Sequence, residues 1–191
     1  LVFSLLICYY TFMSIFFHID VNSAFLSWSA LEQLKQGSSV DLREIPSIIG
    51  GDSSNRHGIV LAKSLPAKAY GIRTAEPISD ALKKCPNLTI QAPDHSLYKQ
   101  RSNELMELLS NICPDIEQVS IDECYMDYGK IKRLYGDEVK FAYKIQKEIL
   151  DTLGFTVNVG IGNNKLCAKM ASDFSKPFKV HTLYDHEIKE K

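Results

Sequence analysis

The sequence carries almost no net charge. Its 22 lysines and arginines stand against 23 acids, for a formal charge of −1 at pH 7. A basic face or domain is the usual electrostatic footprint of a nucleic-acid binder, and the overall balance offers none, although a net count hides local patches. The five cysteines (Cys8, Cys85, Cys113, Cys124 and Cys167) include no C-x-x-C pair and have no histidine nearby at ligand spacing. That excludes a zinc-site pattern and a disulfide framework, and an odd number cannot pair completely. The reading is a reducing, cytoplasmic setting. There is no internal repeat and no low-complexity stretch.

What is present describes an ordinary globular chain. With 191 residues, 45% hydrophobic and 24% charged, it can build one good core, or a core plus a small satellite. Leu1 to Phe17 contains no charge. No basic residue precedes that run and no small-residue cleavage site follows it, and its length lies at the lower edge of a spanning helix. Met13 stands just before Ser-Ile-Phe-Phe-His-Ile-Asp, which reads as a buried strand. Residues 1–12 are therefore expected to be an extension ahead of the native start, with a real hydrophobic tail as the alternative and no membrane partner.

Periodicity and punctuation outline the rest. Ile15–Val21 reads as a central strand. Asn22 or Ser23 caps a helix with Phe25, Trp28, Leu31 and Leu34 at its apolar positions, and Gly37 stops it. Ile45–Ile49 and Gly58–Ala62 flank the turn cluster Gly50–Asn55 as a hairpin, followed by a short helix around Pro66–Tyr70. Pro77 opens another helix, Leu88–Gln91 is a short strand, and residues 94–112 form a long amphipathic helix with a stripe of Leu97, Arg101, Leu105, Leu108 and Leu109. Ile116–Val119 and Cys124–Tyr128 read as a strand pair with an acidic tip. A helix over Glu138–Leu153, a strand over Thr156–Gly162 and a helix over Asn163–Phe174 complete the pattern. Helices alternating with spaced strands give an α+β or α/β class, with residues 36–75 as a possible insert.

Three carboxylates stand out: Asp20 at a strand end, and Asp122-Glu123 at a strand junction about a hundred residues later. Phosphoryl transfer needs charge neutralisation more than covalent help. Two hard cations about 4 Å apart can clamp the attacking and leaving oxygens, and oxygen ligands suit Mg²⁺. By spacing alone the same residues read equally as a helix cap and a solvated turn. What favours a site is the apolar setting of Asp122-Glu123 among Val119, Ile121, Tyr125 and Met126, since carboxylates buried unpaired are costly.

His-Ile-Asp-Val-Asn-Ser-Ala-Phe (18–25) resembles the first motif of Y-family, DinB/UmuC-type translesion DNA polymerases. Ser-Ile-Asp-Glu-Cys-Tyr-Met-Asp (120–127) is similar to their second acidic motif. The stretch 156–172, followed by Lys176-Pro177, is similar to a third block, and 61–72 resembles their fingers helix. All four occur in family order over roughly residues 14–180. The resemblance implies an α+β fold: a palm of antiparallel sheet backed by helices (13–35 and 76–165), a small fingers insert (36–75), and the start of a helical thumb (166–191).

It also implies roles. Asp20 and Asp122 would bridge two Mg²⁺ ions, Glu123 would complete the metal nearer the primer 3′-hydroxyl, and the Val21 carbonyl would touch the nucleotide metal. Phe25 falls on the steric-gate position that excludes a ribose 2′-hydroxyl; without the motif it reads as helix core. Lys68 and Lys176 fall where basic residues meet the triphosphate. The implied partners are primer–template DNA, deoxynucleoside triphosphates and, through a C-terminal region, a sliding clamp.

The sequence departs from the family pattern at three places. Ala24 replaces an aromatic beside the gate. Leu65 stands where a tyrosine is common, leaving Ser64 as the adjacent hydroxyl. Lys68 stands where arginine is usual, and an ammonium does not reproduce a bidentate guanidinium. Gly50-Gly51-Asp52 resembles the signature of palm-fold cyclases but is followed by Ser-Ser-Asn and reads as a hairpin turn. The expected activity is template-directed DNA synthesis past damaged bases. The alternatives are a palm fragment inactive on its own and, less well supported by motif order, a nucleotidyl cyclase.

Overall fold

The computed structural model describes residues 14–51 and 58–190. The expected extension at residues 1–12 and most of the Gly50–Asn55 turn lie outside them. The chain divides into two compact units, Asn22–Glu104 and Leu1–Val21 with Leu105–Lys191. Each contains its own sheet with helices against it, which is an α+β architecture.

The first strand of the second unit is β1 (Phe16–Val21). Phe17, Ile19 and Val21 are buried on one face, while Phe16, His18 and Asp20 point to the other, as a period of two requires. That division organises the whole unit.

The other unit, Asn22–Glu104, begins with α1 (Ala24–Lys35). Its three-stranded sheet runs β3-β2-β4: β2 (Ser47–Gly50) and β3 (Val60–Lys63) form the antiparallel hairpin, and β4 (Thr89–Gln91) joins β2 in parallel. Every residue of β2 is buried, because Ile48 packs into a cluster with Ala67, Ile78 and Ala81 while Ile49 packs with Leu26, Ala30 and Leu42. A strand covered on both faces reads as a continuous apolar run. Helices α2 (Leu65–Ala69) and α3 (Ile78–Lys84) bring the chain from β3 to β4. Strand β4, which pairs with β2 in this sheet, lies beyond the 36–75 fingers insert that the resemblance implies. Along α1 the buried residues are Ala24, Leu26, Ser27, Trp28, Ser29 and Ala30; Leu31 and Leu34, expected on the buried stripe, are only half-buried.

Helix α4 (His95–Ile112) leads into the remaining strands. In order, β5 (Ile116–Gln118), β6 (Glu123–Asp127), α5 (Lys132–Tyr135), α6 (Glu138–Leu153), β7 (Val157–Gly162), α7 (Lys165–Asp173) and β8 (Val180–Leu183) follow. The five-stranded sheet is ordered β5-β6-β1-β7-β8, antiparallel except for the parallel β7–β8 pair. Phe141, Ala142, Ile145 and Ile149 of α6 are buried on the apolar face, where Phe17 stacks on Tyr128 at 4.8 Å and meets Phe141 at 6.4 Å.

Helix α7 covers the polar face over β7. A Cβ on Gly160 would lie 2.0 Å from the Ala168 carbonyl oxygen, and one on Gly162 would lie 2.7 Å from the Ala168 nitrogen. The glycines therefore let helix backbone rest directly on strand backbone. Within residues 166–191, where the resemblance implies the start of a helical thumb, lie most of α7 and the edge strand β8; β8 is too short and too interrupted by polar residues to signal itself. The described cysteines Cys85, Cys113, Cys124 and Cys167 are buried free thiols, and burial pushes Cys124 up to about 12. Among the described residues, no helix is long and apolar enough to cross a membrane.

Candidate active site

The pleat places Asp20 on the polar face of β1, directly across from Glu123 on β6. Directly opposed residues have Cβ atoms roughly 5 Å apart, so two carboxylates face each other at the end of the strand pair. Asp122 sits on the tight turn before β6. The Val119 and Ser120 N–H groups donate to the Glu123 carbonyl at 3.0 and 3.3 Å, and the Val21 N–H donates to the Asp122 carbonyl at 3.0 Å. Ser120 Oγ donates to Asp122 Oδ1 at 2.7 Å. The turn is thus closed on itself by two backbone bonds and held to β1 by a third, which joins the strand end carrying Asp20 directly to the loop carrying Asp122.

The apolar enclosure expected for Asp122-Glu123 is not what holds them. Val119 is 48% exposed, and Met126, on the other parity of the strand, is buried on the opposite face. The two cross-strand carboxylates are instead neutralised by cations. Lys169 of α7 reaches both oxygens of Glu123, at 3.1 and 2.9 Å. Lys176, in the turn after α7, binds Asp20 and lies 2.9 Å from Asp173 Oδ1. Burial raises the Asp20 carboxyl above the usual range even though Lys176 pulls it down. Lys176 itself is lowered by burial but raised more by its bonds to Asp20 and Asp173. The bond to Glu123 likewise raises Lys169.

His18 extends the network beneath Glu123. Its Nε2 lies 3.2 Å from Glu123 Oε2, off hydrogen-bond alignment, and its Nδ1 is 2.8 Å from Ser172 Oγ. Burial holds His18 below its ordinary value, and Glu123 opposes that.

The structure gathers Asp20, Val21, Asp122, Glu123 and Lys176 in one compact unit; Phe25, Ser64 and Lys68 belong to the other. Phe25 stacks on Tyr98 with centroids 4.4 Å apart and planes 7° apart, and meets His95 edge-on at 6.4 Å. Tyr98 is itself anchored to Ser29 Oγ at 2.9 Å. Lys68 is exposed near the end of α2. Ser64 is buried: its hydroxyl donates to the Ile45 carbonyl at 2.7 Å and accepts from the Ser47 and Ala67 N–H groups. Its single proton is committed, so Ser64 is a helix cap with nothing left to donate to a phosphate.

Sequence reasoning passed over Lys169, His18, Tyr98 and Asn158. Lys169 was legible one helical turn from Lys165 within the third motif; the others are contacts between distant segments.

The donor set suits a hard divalent cation. Three carboxylates and the Val21 carbonyl are all oxygens, and a carboxyl held up by burial, as Asp20 is, gains from a nearby cation. Among the described residues, no three His, Cys, Asp or Glu side chains converge into a single cage; two of the carboxylates are turned to lysine partners.

Comparison with known proteins agrees with the motifs. The model of the impB/mucB/samB family matches residues 19–173. DNA polymerase IV of Clostridium acetobutylicum is 54% identical over 177 residues, covering 93% of this chain and 44% of that protein. DNA polymerase IV of Alkaliphilus oremlandii is 38% identical over 177 residues, covering 93% and 43%. The chain thus spans less than half the length of these relatives. Among solved structures, a chimeric Y-family DNA polymerase superposes with a TM-score of 0.81 at 26% identity, covering 92% of this chain and 50% of that one. An insertion ternary complex of Dbh DNA polymerase gives 0.78 at 27%, with the same coverage. The chain belongs to the impB/mucB/samB family, the Y-family polymerases of DinB type.

Proposed function

We propose that this chain carries the nucleotidyl-transfer chemistry of a translesion DNA polymerase, adding deoxynucleotides to a primer on a template and releasing pyrophosphate. The observation that supports it most is the cross-strand pair Asp20–Glu123, with Asp122 on a turn bonded to the same strand. Asp20, Asp122, Glu123 and the Val21 carbonyl would together hold two Mg²⁺ ions. Bound there, the ions would neutralise charge on the triphosphate and lower the pKa of the primer hydroxyl. Lys176 would then be free to turn from Asp20 toward the triphosphate, and the family pattern gives the exposed Lys68 the same role. Phe25, held flat by Tyr98, would close against the sugar and leave no room for a 2′-hydroxyl. The partners are primer–template DNA and deoxynucleoside triphosphates, with a sliding clamp engaged through the part of the relatives this chain does not match, and the setting is the cytoplasm.

Primer extension across an abasic site tests the reading, comparing the parent protein with Asp122→Ala. Loss of about a thousandfold or more in rate is expected when a metal-holding carboxylate is removed; unchanged extension sinks the assignment. A second reading is favoured by the coverage of relatives: the chain holds the chemistry while the grip on DNA lies in their unmatched portion. In that case the chain alone fails to extend primers yet still binds nucleotide with Mg²⁺.

A further inference from the structure

Asn158 sits on the polar face of β7, opposite Asp20 across the β1–β7 pair, and is fully buried. Its Nδ2 donates to the Ser172 carbonyl at 2.9 Å and to the Ser175 carbonyl at 2.7 Å. Its Oδ1 accepts from the Lys179 N–H at 3.1 Å. A single side chain thus ties down the end of α7 and both sides of the turn that follows it. A primary amide is suited to this, having two donors and an acceptor on one head. A carboxylate in its place would turn lone pairs against two carbonyls.

A second buried amide works from below. Gln146 of α6 donates to the Val157 carbonyl at 2.8 Å and to the Lys179 carbonyl at 3.0 Å, and the Val159 N–H also donates to Lys179 at 3.0 Å. Ser172, one of the points Asn158 holds, donates its hydroxyl proton to the Lys169 carbonyl at 2.8 Å and accepts from His18 Nδ1 at 2.8 Å. Lys176 lies between the two clamped points, one residue beyond Ser175, and is delivered from there onto Asp20.

We propose that Asn158 is a positioning residue for nucleotide binding, fixing the 172–179 turn so that the Lys176 ammonium stands where it can meet the triphosphate. A lysine side chain is long and loses considerable rotamer freedom when it is held. Fixing its backbone in advance removes part of that cost and sets the direction of approach. This rests on the reading of Lys176 as a triphosphate contact.

The test is a double-mutant cycle on the whole chain: the affinity for a non-hydrolysable deoxynucleoside triphosphate in Mg²⁺ buffer is measured by calorimetry. Lys176→Met is expected to weaken binding roughly 10- to 100-fold, the worth of a charge-assisted hydrogen bond. Asn158→Ala is expected to weaken it about tenfold, and the double variant no more than Lys176→Met alone. If Lys176→Met weakens binding and Asn158→Ala does not, or if the Asn158→Ala loss persists undiminished in the Lys176→Met background, the proposal is overturned. Unchanged affinity in Lys176→Met, or no binding by the parent chain, instead sinks the underlying reading of Lys176 and this site. Should Asn158→Ala fail to fold, Asn158→Ser keeps one donor and is expected to show an intermediate loss. Hydrogen exchange on the parent chain needs no variant: the Lys179 amide is expected to be protected, and rapid exchange there overturns the clamp itself.

Discussion

Replacing Gly160 with alanine would place a methyl group 2.0 Å from the Ala168 carbonyl oxygen, 2.3 Å from the Ser172 nitrogen and 3.0 Å from the Ala171 carbonyl carbon. All three are backbone atoms of α7, and none can rotate aside. To restore ordinary contact the helix must retreat by roughly 1 Å or more, and a gap of that size forfeits about a quarter to a half of each dispersion contact it opens. The lost packing falls on Cys167, Ala168, Ala171 and Ser172, the buried face of α7. Overpacking a tight core costs about 1–3 kcal/mol. Backbone against backbone belongs at the upper end, offset by the ~0.5–1 kcal/mol that alanine gains over glycine in a strand. A net loss of about 2–2.5 kcal/mol is therefore expected. With a urea dependence of about 2 kcal/mol per molar, the unfolding midpoint followed by circular dichroism should fall by roughly 1–1.25 M. Gly162→Ala meets its nearest atoms at 2.7 and 2.8 Å and should cost less, about 1–2 kcal/mol. Gly50→Ala meets first the Cδ1 tip of Ile78, at 2.7 Å, which can swing away, so its cost should stay below about 1 kcal/mol. The ranking is the sharp part: if Gly160→Ala costs no more than Gly50→Ala, the claim that α7 rests directly on β7 is wrong.

Other expectations follow from the site. Phe25→Ala should raise ribonucleotide incorporation roughly 10- to 100-fold in single-nucleotide insertion assays; an unaltered sugar preference returns Phe25 to the helix core. Added Mg²⁺ should raise the thermal midpoint, by about 1.4 kcal/mol of stability for each tenfold excess over its dissociation constant, and Asp122→Ala should abolish the shift in scanning calorimetry. Two pH effects run in opposite senses. Asp20 is raised in the folded state, so the stability it contributes is complete below the ordinary carboxylate range and is lost as pH rises through its elevated value. Asp20→Asn should flatten that limb. His18 is lowered from 6.5, so a penalty grows as pH falls through 6.5 and the unfolded chain takes up the proton first. In His18→Gln that acid-side loss should shrink, and an unchanged pH profile would show that His18 is not the group responsible.

The elements were largely legible because their signals are local. The alternation of Phe17, Ile19 and Val21 with His18 and Asp20 specifies a strand with one apolar and one polar face, and Gly154 and Asn164 mark helix ends by their backbone and capping chemistry. The carboxylates were legible as candidates for the same reason. The two hairpins were legible as well; what could not be read was pairing between distant segments. That β4 joins β2 in parallel, enlarging the smaller unit, depends on a contact between segments some forty residues apart. That β8 completes the larger sheet depends on three half-buried residues and a buried leucine against β7. Neither leaves a periodic trace in a strand so short.

The mistaken premise about Asp122-Glu123 is instructive in the same way. Neighbours in sequence on a strand point to opposite faces, so Met126 says nothing about what surrounds Glu123; its cross-strand partner Asp20 does. Two carboxylates set opposite each other are destabilising unless cations intervene, and the chain meets that requirement with Lys169 and Lys176 from one helix and the turn that ends it. Those lysines can reach only because Gly160 and Gly162 let α7 lie on the sheet. The repulsion between the acids, the glycine contact and the two lysines are therefore one design. On the proposed reading, carboxylates that would hold cations are balanced in their absence by ammonium groups, which would give way when ions and nucleotide bind.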